Sequence, residues 1–509
     1  MLIPSLSDLF FLAILIWLFA SGSYGWQGLL ADGDAGWHIR TGEYILDHHA
    51  VPHQDLYSFS KPGAPWYAWE WGSDVFYAAL HRLAALKGVV LAAAVLISWF
   101  AVTLLRRMAA MGVHMFVGLV MALLCVGSSS VHFLARPHVF TLVLLSVSVW
   151  MIERDRENPS PAIWLLAPIT VLWTNLHGGF LALIAVLGLT AIGYAAEAWL
   201  AGDLAARWRP AARYGALAAV CLASSLINPY GYKLHQHMAE YLRSDWIKTA
   251  IQEFQSPSFR NESMMQFEVL LIVGLIAAAF LIRRRRLVET LWIVFFAHEA
   301  LASIRHVPIF ATVVGPVIAF EVSQWWTAWI AGAPKGSLRA IARQMGRDFA
   351  PSFRRTSMWP AVTVGGLALI GAPIPWPKDF PDAVFPVEIV HSHAAEILNA
   401  RVLTTDQWAD YLIYTNPRQK VFVDGRSDFY GPEIGNQYLR LEYGDADWAR
   451  TMAQYRFDMA LLPSNLGIVQ LLKLQPDWRI VADDGKRILL AHTTAPVLSP
   501  ANPQPERRF

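Results

Sequence analysis

The chain has 509 residues, of which 55% are hydrophobic and 16% are charged, so it is not an ordinary soluble protein. A formal net charge of +2 argues against a nucleic-acid partner, which favours a strongly basic surface. Both cysteines, Cys125 and Cys221, lie inside apolar runs, which excludes a disulfide framework and a cysteine-based zinc site.

Apolar runs of roughly 20 residues, long enough to cross a bilayer, recur as far as residue 373. The first run has no small-residue cleavage site, and we predict that it is retained as a helix. The sequence predicts roughly eleven transmembrane helices. They are placed at 8–28, 87–105, 113–131, 138–152, 162–175, 179–199, 212–228, 267–282, 288–304, 308–325 and 359–375.

Basic residues fall in alternate linkers between these helices, and the positive-inside rule places such linkers in the cytoplasm. They are Arg106 and Arg107, Arg154 and Arg156, Arg207 with Arg209 and Arg213, Arg283 to Arg286, and the stretch 335–355. The N-terminus is then cytoplasmic. The linkers predicted to face outside are 29–86, 132–137, 175–178, 229–266, 304–307 and everything after about residue 376.

The first outer linker opens with Asp32 and Asp34, directly after the first apolar run. Two carboxylates at the mouth of a membrane helix are costly to hold near hydrocarbon, which indicates a site. One of them could take the proton from an acceptor hydroxyl while that oxygen attacks a sugar C1. A solvated helix terminus is the alternative explanation. Amphipathic helices are predicted over 37–48 and 69–83, both lying in the membrane interface.

The same linker carries several histidines, among them His38, His48, His49 and His53. With the two aspartates, their oxygen and imidazole ligands would suit Mg²⁺, Mn²⁺ or Zn²⁺, so a divalent cation is a candidate cofactor. Pro52 argues against a helix that would place the rings of His49 and His53 on one face. Solvated loop histidines are the alternative, and the metal requirement stays open.

Cationic side chains occupy the other outer linkers, where they could bind a lipid-linked phosphate. Arginine suits phosphate because its planar fork donates two parallel hydrogen bonds. The candidates are Arg136, His138, His177, Arg305 and His306. The alternative is that these arginines only reach the head-group layer. His132 is predicted to be structural.

The last part of the chain, 376–509, is predicted to form a small extracytoplasmic α/β domain. Short apolar runs typical of strands alternate there with helical patterns. The strands are expected at 401–405, 420–424, 459–462, 478–482 and 487–492, and the helices at 406–415, 433–441, 447–455 and 466–474. The tail from Pro496 is Pro-rich and is predicted to be disordered.

One loop of this domain stands out because it follows a predicted strand, where α/β folds often place functional residues. Its charged residues are Asp424, Arg426 and Asp428. They could contact a sugar or the rim of the membrane site. A salt-bridged turn that holds the strand end is the alternative.

Four segments together resemble a group of bacterial multi-span membrane proteins that is similar to the GT-C superfamily of glycosyltransferases. They are Asp32-Gly33-Asp34-x2-Trp37-His38-x-Arg40-x-Gly42-Glu43, Arg136-Pro137-His138, Asn175-x-His177-Gly178-Gly179 and Val423-Asp424-Gly425-Arg426. The resemblance implies a GT-C-like transmembrane domain over 1–375, with the first outer loop 29–86, in a bacterial cytoplasmic membrane. It also implies transfer of a sugar from a polyprenyl-phosphate donor to a glycan, lipid or protein acceptor outside.

The resemblance assigns the base to Asp34, with Asp32 as the alternative, and donor-phosphate binding to the cationic residues of the outer linkers. The acceptor-binding candidates are His38, Arg40, Glu43, Asn175, Lys233, Asp424, Arg426 and Asp428. The chain lacks the tryptophan-rich motif with paired aspartates that marks oligosaccharyltransferases, so we expect transfer of a single sugar. The alternatives are a non-catalytic transporter or polymerisation partner, for which His298 and Glu299 would be the buried charges, and an envelope scaffold.

Overall fold

The structure, a computed structural model, describes residues 3–20, 25–355, 357–369 and 375–493. The predicted disorder of the tail from Pro496 therefore falls outside the described residues. The described residues are mostly helical, and their helices follow in chain order. They are α1 (Leu6–Ala20), α2 (Asp34–His48), α3 (Trp71–Ala110), α4 (Met115–Ser128), α5 (His138–Glu157), α6 (Leu166–Leu176), α7 (Phe180–Leu200), α8 (Leu204–Ser224), α9 (Tyr232–Arg243), α10 (Asp245–Ala250), α11 (Glu262–Arg283), α12 (Leu287–Ala302), α13 (Val307–Ala331), α14 (Leu338–Arg354), α15 (Trp359–Leu369), α16 (Val387–Ser392), α17 (Ala394–Leu398), α18 (Asp406–Thr415), α19 (Ser427–Tyr443), α20 (Trp448–Tyr455) and α21 (Gly467–Lys473).

The chain divides into two compact units. The membrane unit comprises Met1–Leu29, Trp69–Phe76 and Leu80–Trp376. The sheet unit comprises Leu30–Ala68, Tyr77–Ala79 and Pro377–Phe509. Most of the first outer linker, which we had assigned to the transmembrane domain, thus groups with the C-terminal residues.

In the membrane unit, four of the described helices are long and apolar enough to cross a bilayer. These four spans are Trp71–Ala110, Phe180–Leu200, Glu262–Arg283 and Ile304–Ala331. Shorter apolar helices accompany them at Leu6–Phe19, Met115–Ser128, Pro161–Leu176 and Trp359–Leu369. The chain is a multi-pass membrane protein, and the count of eleven spans stays a prediction.

The helix α3 combines two elements that the sequence had separated, the amphipathic segment 69–83 and the span 87–105. They form one 40-residue helix that is interrupted only at Ala84 and Ala85, whose backbone angles are not helical. Ala85 has φ of 49°, a left-handed conformation that side chains rarely adopt. The sequence predicted a helix on each side of this point, but it did not predict that the two segments join into one helix.

A second difference is α14, because the sequence indicated only a basic linker over 335–355. The helix packs against α13, α1 and α4. Phe353 near its end is 3% exposed, and its carbonyl accepts a hydrogen bond of 2.8 Å from the Ser7 hydroxyl. This packing compensates for the modest length of the helix.

The sheet unit contains four strands: β1 (Val402–Thr404), β2 (Met459–Pro463), β3 (Trp478–Asp483) and β4 (Arg487–His492). Their order is β1-β2-β4-β3, with β1 and β2 parallel and the other pairs antiparallel. Val402 is in register with Met459, and a bulge separates Ile480 from Ala482 in β3. The strands and the four helical patterns predicted here are found close to the expected positions, with one exception.

That exception is the strand predicted over 420–424, which is wrong. Only Val421 pairs, through single parallel bridges with Val402 and Ser58. Beyond it the chain turns into the loop that leads to α19, so no ladder forms. The apolar run Val421–Val423 is buried all the same, which is why it resembled a strand.

The helix α2 lies within the sheet unit and packs against α18. A Cβ added to Gly36 would lie 2.6 Å from the carbonyl oxygen of Asp410, so glycine permits this close approach. Ile39 of α2 is fully buried. The prediction that 37–48 lies in the membrane interface is therefore corrected, because its apolar face is covered by protein.

Candidate functional site

The membrane unit contains a cavity of about 840 Å³ at the ends of several helices. Four of the five donor-phosphate candidates line it: His138, His177, Arg305 and His306. His132, which we had predicted to be structural, lines it as well. Segments far apart in sequence thus meet at one cavity, as the scattered outer linkers suggested.

His177 is held by a chain of hydrogen bonds on one wall of this cavity. The indole nitrogen of Trp173 donates to the Thr141 hydroxyl at 2.9 Å, and that hydroxyl lies 2.8 Å from His177 Nδ1. The backbone N–H of Gly179 also donates to Nδ1, at 3.0 Å. Because Nδ1 is an acceptor, the ring proton sits on Nε2, which lies 3.5 Å from Glu70 Oε1.

His138 and His132 form a second pair at the cavity. His138 donates from Nε2 to the carbonyl of His132 at 2.9 Å, and their ring centroids are 4.6 Å apart. Burial, together with the nearby arginines, lowers the pKa of His132 to about 3 and holds the pKa of His177 well below its usual range. These two imidazoles are therefore neutral at physiological pH and can act as N–H donors.

Arg305 supplies a positive charge to the cavity wall. Its guanidinium lies 4.4 Å from the centroid of the Phe254 ring and 3.5 Å from the Tyr241 hydroxyl. Within the described part of the chain, no carboxylate makes a salt bridge with Arg305. An aromatic ring and a phenol position this cation, and the ionised Glu253 attracts it without forming a salt bridge, so the guanidinium can still bind an anion.

Arg136, the fifth candidate, lies outside the cavity lining and is paired. Its Nη1 lies 3.2 Å from Glu253 Oε1. Although burial opposes it, the charges of Arg136 and Arg305 lower the pKa of Glu253 to about 2. The carboxylate is thus ionised and compensates much of the charge of Arg136.

His306 and Glu299 complete the lining near Arg305. His306 Nδ1 lies 3.2 Å from the Glu299 carbonyl oxygen and 3.5 Å from its carboxylate. Glu299 belongs to the last turn of α12, which ends at Ala302. The His298–Glu299 pair therefore sits at a helix end and not in the middle of a span.

Two acceptor-binding candidates of the membrane unit lie elsewhere. The Asn175 amide accepts from the Trp71 indole at 2.7 Å and donates to the carbonyls of Val171 and Ile227 at 2.8 and 2.9 Å. These bonds hold helix ends together. Lys233, at the start of α9, is exposed and lies outside the cavity lining.

The sheet unit gathers a separate group of carboxylates around the start of α2. Asp34 is the first residue of that helix, and its backbone N–H donates to Asp32 Oδ1 at 2.9 Å. A Cβ added to Gly425 would overlap the Asp34 carboxylate and lie 2.9 Å from Asp410 Oδ2. Glycine is therefore required at 425 for these carboxyl groups to come together.

Asp410 differs electrostatically from its neighbours. Burial, followed by the charges of Asp34 and Asp424, raises its pKa well above the usual range. Its Oδ1 accepts from the Gly425 N–H at 3.0 Å. Asp34 is 4% exposed, whereas Asp32 is partly exposed, so the two candidate bases have different access to an acceptor.

The loop that contains Asp424 and Arg426 is buried and ion-paired. Arg426 Nη2 lies 2.6 Å from Asp424 Oδ2 and 2.8 Å from Asp55 Oδ1, and its guanidinium stands 4.5 Å from the Trp66 ring centroid. The Tyr430 hydroxyl donates to Asp424 at 2.7 Å. This arrangement matches the salt-bridged turn that was the alternative explanation.

The remaining acceptor candidates of the sheet unit also have close neighbours. Arg40 pairs with Glu43 at 2.6 Å and donates from Nε to the Tyr414 carbonyl at 2.7 Å. His38 is 1% exposed. Asp428 lies in the first turn of α19 and is partly exposed.

The metal candidates are dispersed by comparison. His48 hydrogen-bonds the carbonyl of Tyr44 at 2.9 Å and stacks on that ring. Among the residues that the structure describes, no three or more His, Cys, Asp or Glu side chains are grouped so that they could hold a metal ion. The divalent cation stays a prediction without an assigned set of ligands.

Several residues at these sites had escaped the sequence analysis. Thr141, Glu70 and Tyr241 line the cavity, and Asp410 lies buried beside Gly425 in the sheet unit. Thr141 lies one turn after His138 on α5, a spacing that does put it on the same face. No sequence pattern around Glu70 or Tyr241 indicated a site, because only the tertiary structure brings them to His177 and Arg305.

No protein-family model and no curated protein sequence matches the chain. Among solved structures, it is similar to the archaeal oligosaccharyltransferase AglB from Archaeoglobus fulgidus in complex with an inhibitory peptide and a dolichol-phosphate. The TM-score is 0.55 at 10% identity, covering 90% of this chain and 69% of that one. The apo form of the Archaeoglobus fulgidus oligosaccharyltransferase gives 0.52 at 10% identity with the same coverage.

A bacterial structure is similar over nearly the full length of both chains. ArnT from Cupriavidus metallidurans bound to undecaprenyl phosphate has a TM-score of 0.50 at 16% identity, covering 97% of this chain and 99% of that one. The chain shares the fold of these three structures, in agreement with the predicted resemblance.

Proposed function

We propose that this protein is a glycosyltransferase that moves a single sugar from a polyprenyl-phosphate donor to a glycan, lipid or protein acceptor. It would act at the outer face of a bacterial cytoplasmic membrane. The fold supports this proposal, as do two similar structures that contain dolichol-phosphate and undecaprenyl phosphate. The observation that carries it is Arg305, a cation that makes no salt bridge with a carboxylate among the described residues, at the wall of an 840 Å³ cavity.

In this proposal the membrane unit binds the donor. Apolar lining residues such as Leu142, Leu181 and Phe296 would contact the polyprenyl chain. Arg305 would bind the phosphate through its planar fork, while the neutral imidazole of His177 offers a directed N–H. His138, His306 and Arg136 remain proposed contributors, the last weakened by its pairing with Glu253.

The acceptor would be activated by a carboxylate at the start of α2. As the acceptor oxygen bonds to the sugar C1, its proton passes to that carboxylate, and the bond between C1 and the phosphate oxygen breaks. The departing polyprenyl phosphate takes the electron pair of the broken bond. Either Asp32 or Asp34 fills the role of base: Asp32 is the more accessible, and Asp34 is the more closely surrounded by other carboxyl groups.

The remaining acceptor candidates divide by their surroundings. Arg426 and Asp424 are engaged in a buried ion pair, so in our proposal they hold the loop of Gly425 against α2. Arg40, Glu43 and Asp428 are partly exposed and remain proposed contacts to an acceptor.

A transporter without catalytic activity is less well supported. Such a protein would need ionisable groups along a path through the bilayer. The pair that we had considered for this, His298 and Glu299, lies in the last turn of α12, where Glu299 contacts His306. Glu299 lines the cavity.

The experiment for this proposal measures transfer of radiolabelled sugar from a panel of polyprenyl-phosphate sugars in proteoliposomes. Arg305→Gln is compared with Arg260→Gln, which removes an exposed arginine of the membrane unit. We expect transfer by the wild type and by the control, and a strong loss in Arg305→Gln. Equal transfer by all three proteins would refute the role of Arg305, and absence of transfer from every donor and acceptor would refute the enzyme.

A further inference from the structure

The helix α14 exposes a continuous apolar stripe, although it is strongly basic. Leu338, Ile341, Met345 and Phe349 recur every three or four residues and so lie on one face. Their exposed fractions are 84%, 47%, 38% and 44%. Phe353, four residues after Phe349, continues this row and is buried, whereas the four stripe residues before it remain exposed among the described residues.

A second row, formed by Arg339, Arg343 and Arg347, repeats every four residues, and Lys335 precedes it at the same spacing. Asp348 is the one acidic residue of the helix. An apolar stripe beside a row of arginines is typical of a helix that lies in the surface plane of a bilayer with anionic lipids.

A pocket of about 370 Å³ adjoins this basic row. Arg343, Arg347 and His114 line it together with apolar residues of α13 and the turn before α4. A Cβ on Gly346 would collide with the His114 ring, so this glycine lets α14 lie close to that turn. Arg343 is fixed by a hydrogen bond of 2.6 Å to the Ala331 carbonyl at the end of α13.

We propose that α14 is an anchor for anionic phospholipids. Its apolar stripe inserts among the acyl chains, and the phosphate of an anionic phospholipid binds to Arg343, Arg347 and His114 in the 370 Å³ pocket. The charges on the pocket wall select an anionic head group over a zwitterionic one. This site lies apart from the cavity of the proposed donor and has no part in the transfer reaction.

The test uses the full chain in nanodiscs with equal parts of phosphatidylcholine and phosphatidylglycerol. The lipids retained by the protein are counted by native mass spectrometry. Arg343→Gln with Arg347→Gln is compared with a matched pair, Arg209→Gln with Arg283→Gln, which removes two exposed arginines from other helices. Arg343→Lys with Arg347→Lys keeps the charge if the glutamine pair fails to fold.

We expect the wild type to retain phosphatidylglycerol in preference to phosphatidylcholine. The matched control variant should show the same preference. Loss of two charges from the pocket should reduce that preference about 25-fold, since each basic residue near an anionic surface is worth about fivefold. The lysine pair should keep most of it. An equal retention of both lipids by the wild type, or an equal loss in both glutamine pairs, would overturn the proposal.

A second copy of the chain is the rival occupant of the stripe. Ile341→Ser with Phe349→Ser distinguishes it, measured as the oligomeric state in detergent. We expect the same state for this variant and for the wild type. A wild-type dimer that becomes a monomer in this variant would assign the stripe to subunit contact and overturn its insertion into lipid.

Discussion

The substitution Arg305→Gln removes one positive charge from the cavity wall and shortens the side chain, while it keeps a polar amide at its end. The Arg305 guanidinium rests against the Phe254 ring at 4.4 Å and touches the Tyr241 hydroxyl at 3.5 Å. Neither of these contacts is charged at neutral pH, and Glu253, which Arg305 also attracts, keeps its salt bridge with Arg136, so the substitution leaves no ion unpaired. Its effect on donor binding should therefore exceed its effect on folding.

The size of the effect follows from the charge that is lost. A unit charge about 4 Å from a phosphate is worth about 4 kcal/mol at an effective dielectric constant of 20. Desolvation of the guanidinium offsets part of this, and hydrogen bonds to charged groups contribute about 1.5–3 kcal/mol net. We therefore expect Arg305→Gln to weaken the binding of a polyprenyl phosphate about 10- to 150-fold.

The assay is titration of the purified protein with polyprenyl phosphate in nanodiscs, with thermal unfolding as the check on folding. A useful comparison is Arg136→Gln with Glu253→Gln, which removes a whole ion pair at 3.2 Å without a change in net charge. That double variant should weaken binding less than Arg305→Gln. An unchanged dissociation constant in a folded Arg305→Gln protein would refute the reasoning.

Three further substitutions test the local structure. Thr141→Ala should destabilise the protein by about 1–3 kcal/mol, because the Trp173 indole loses its acceptor, and Thr141→Ser should restore the melting temperature. Gly425→Ala should cost about 1–3 kcal/mol in thermal unfolding, because its methyl group overlaps the Asp34 carboxylate; a neutral effect would contradict the close approach. Because the pKa of Asp410 is raised in the folded protein, its carboxyl ionises less readily there than in the unfolded chain. The wild type therefore loses stability as pH rises, whereas the amide of Asp410→Asn does not titrate. The melting temperature of Asp410→Asn relative to wild type should therefore increase between about pH 5 and pH 8, and a constant difference would contradict this account.

Apolar helices of the membrane unit could be predicted because apolar run length is a local property of the sequence. Cationic residues of three separate linkers were proposed as phosphate ligands, and His138, His177 and Arg305 do line one cavity. The partners that set their chemistry, such as Thr141 and Glu70, depend on how helices rotate and pack. A single sequence does not contain that information in any local pattern.

The sheet unit shows where local reasoning fails. The start of α2 was interpreted as a membrane-surface element because it follows an apolar run. Its glycines instead allow contact with residues nearly 400 positions later, as in the hydrogen bond of 2.7 Å from the Gly33 N–H to Gln407. The helix α14 was missed for a related reason, since its packing against α13, α1 and α4 stabilises a segment whose own sequence indicated a linker.

The most direct test of the central claim is sugar transfer by Asp32→Asn and Asp34→Asn beside the wild type. Proteoliposomes would contain a radiolabelled polyprenyl-phosphate sugar, and each variant would also be tested for donor binding. The proposal predicts that one substitution abolishes transfer while the protein stays folded and still binds the donor. Undiminished transfer by both folded variants would contradict the catalytic role of these carboxylates.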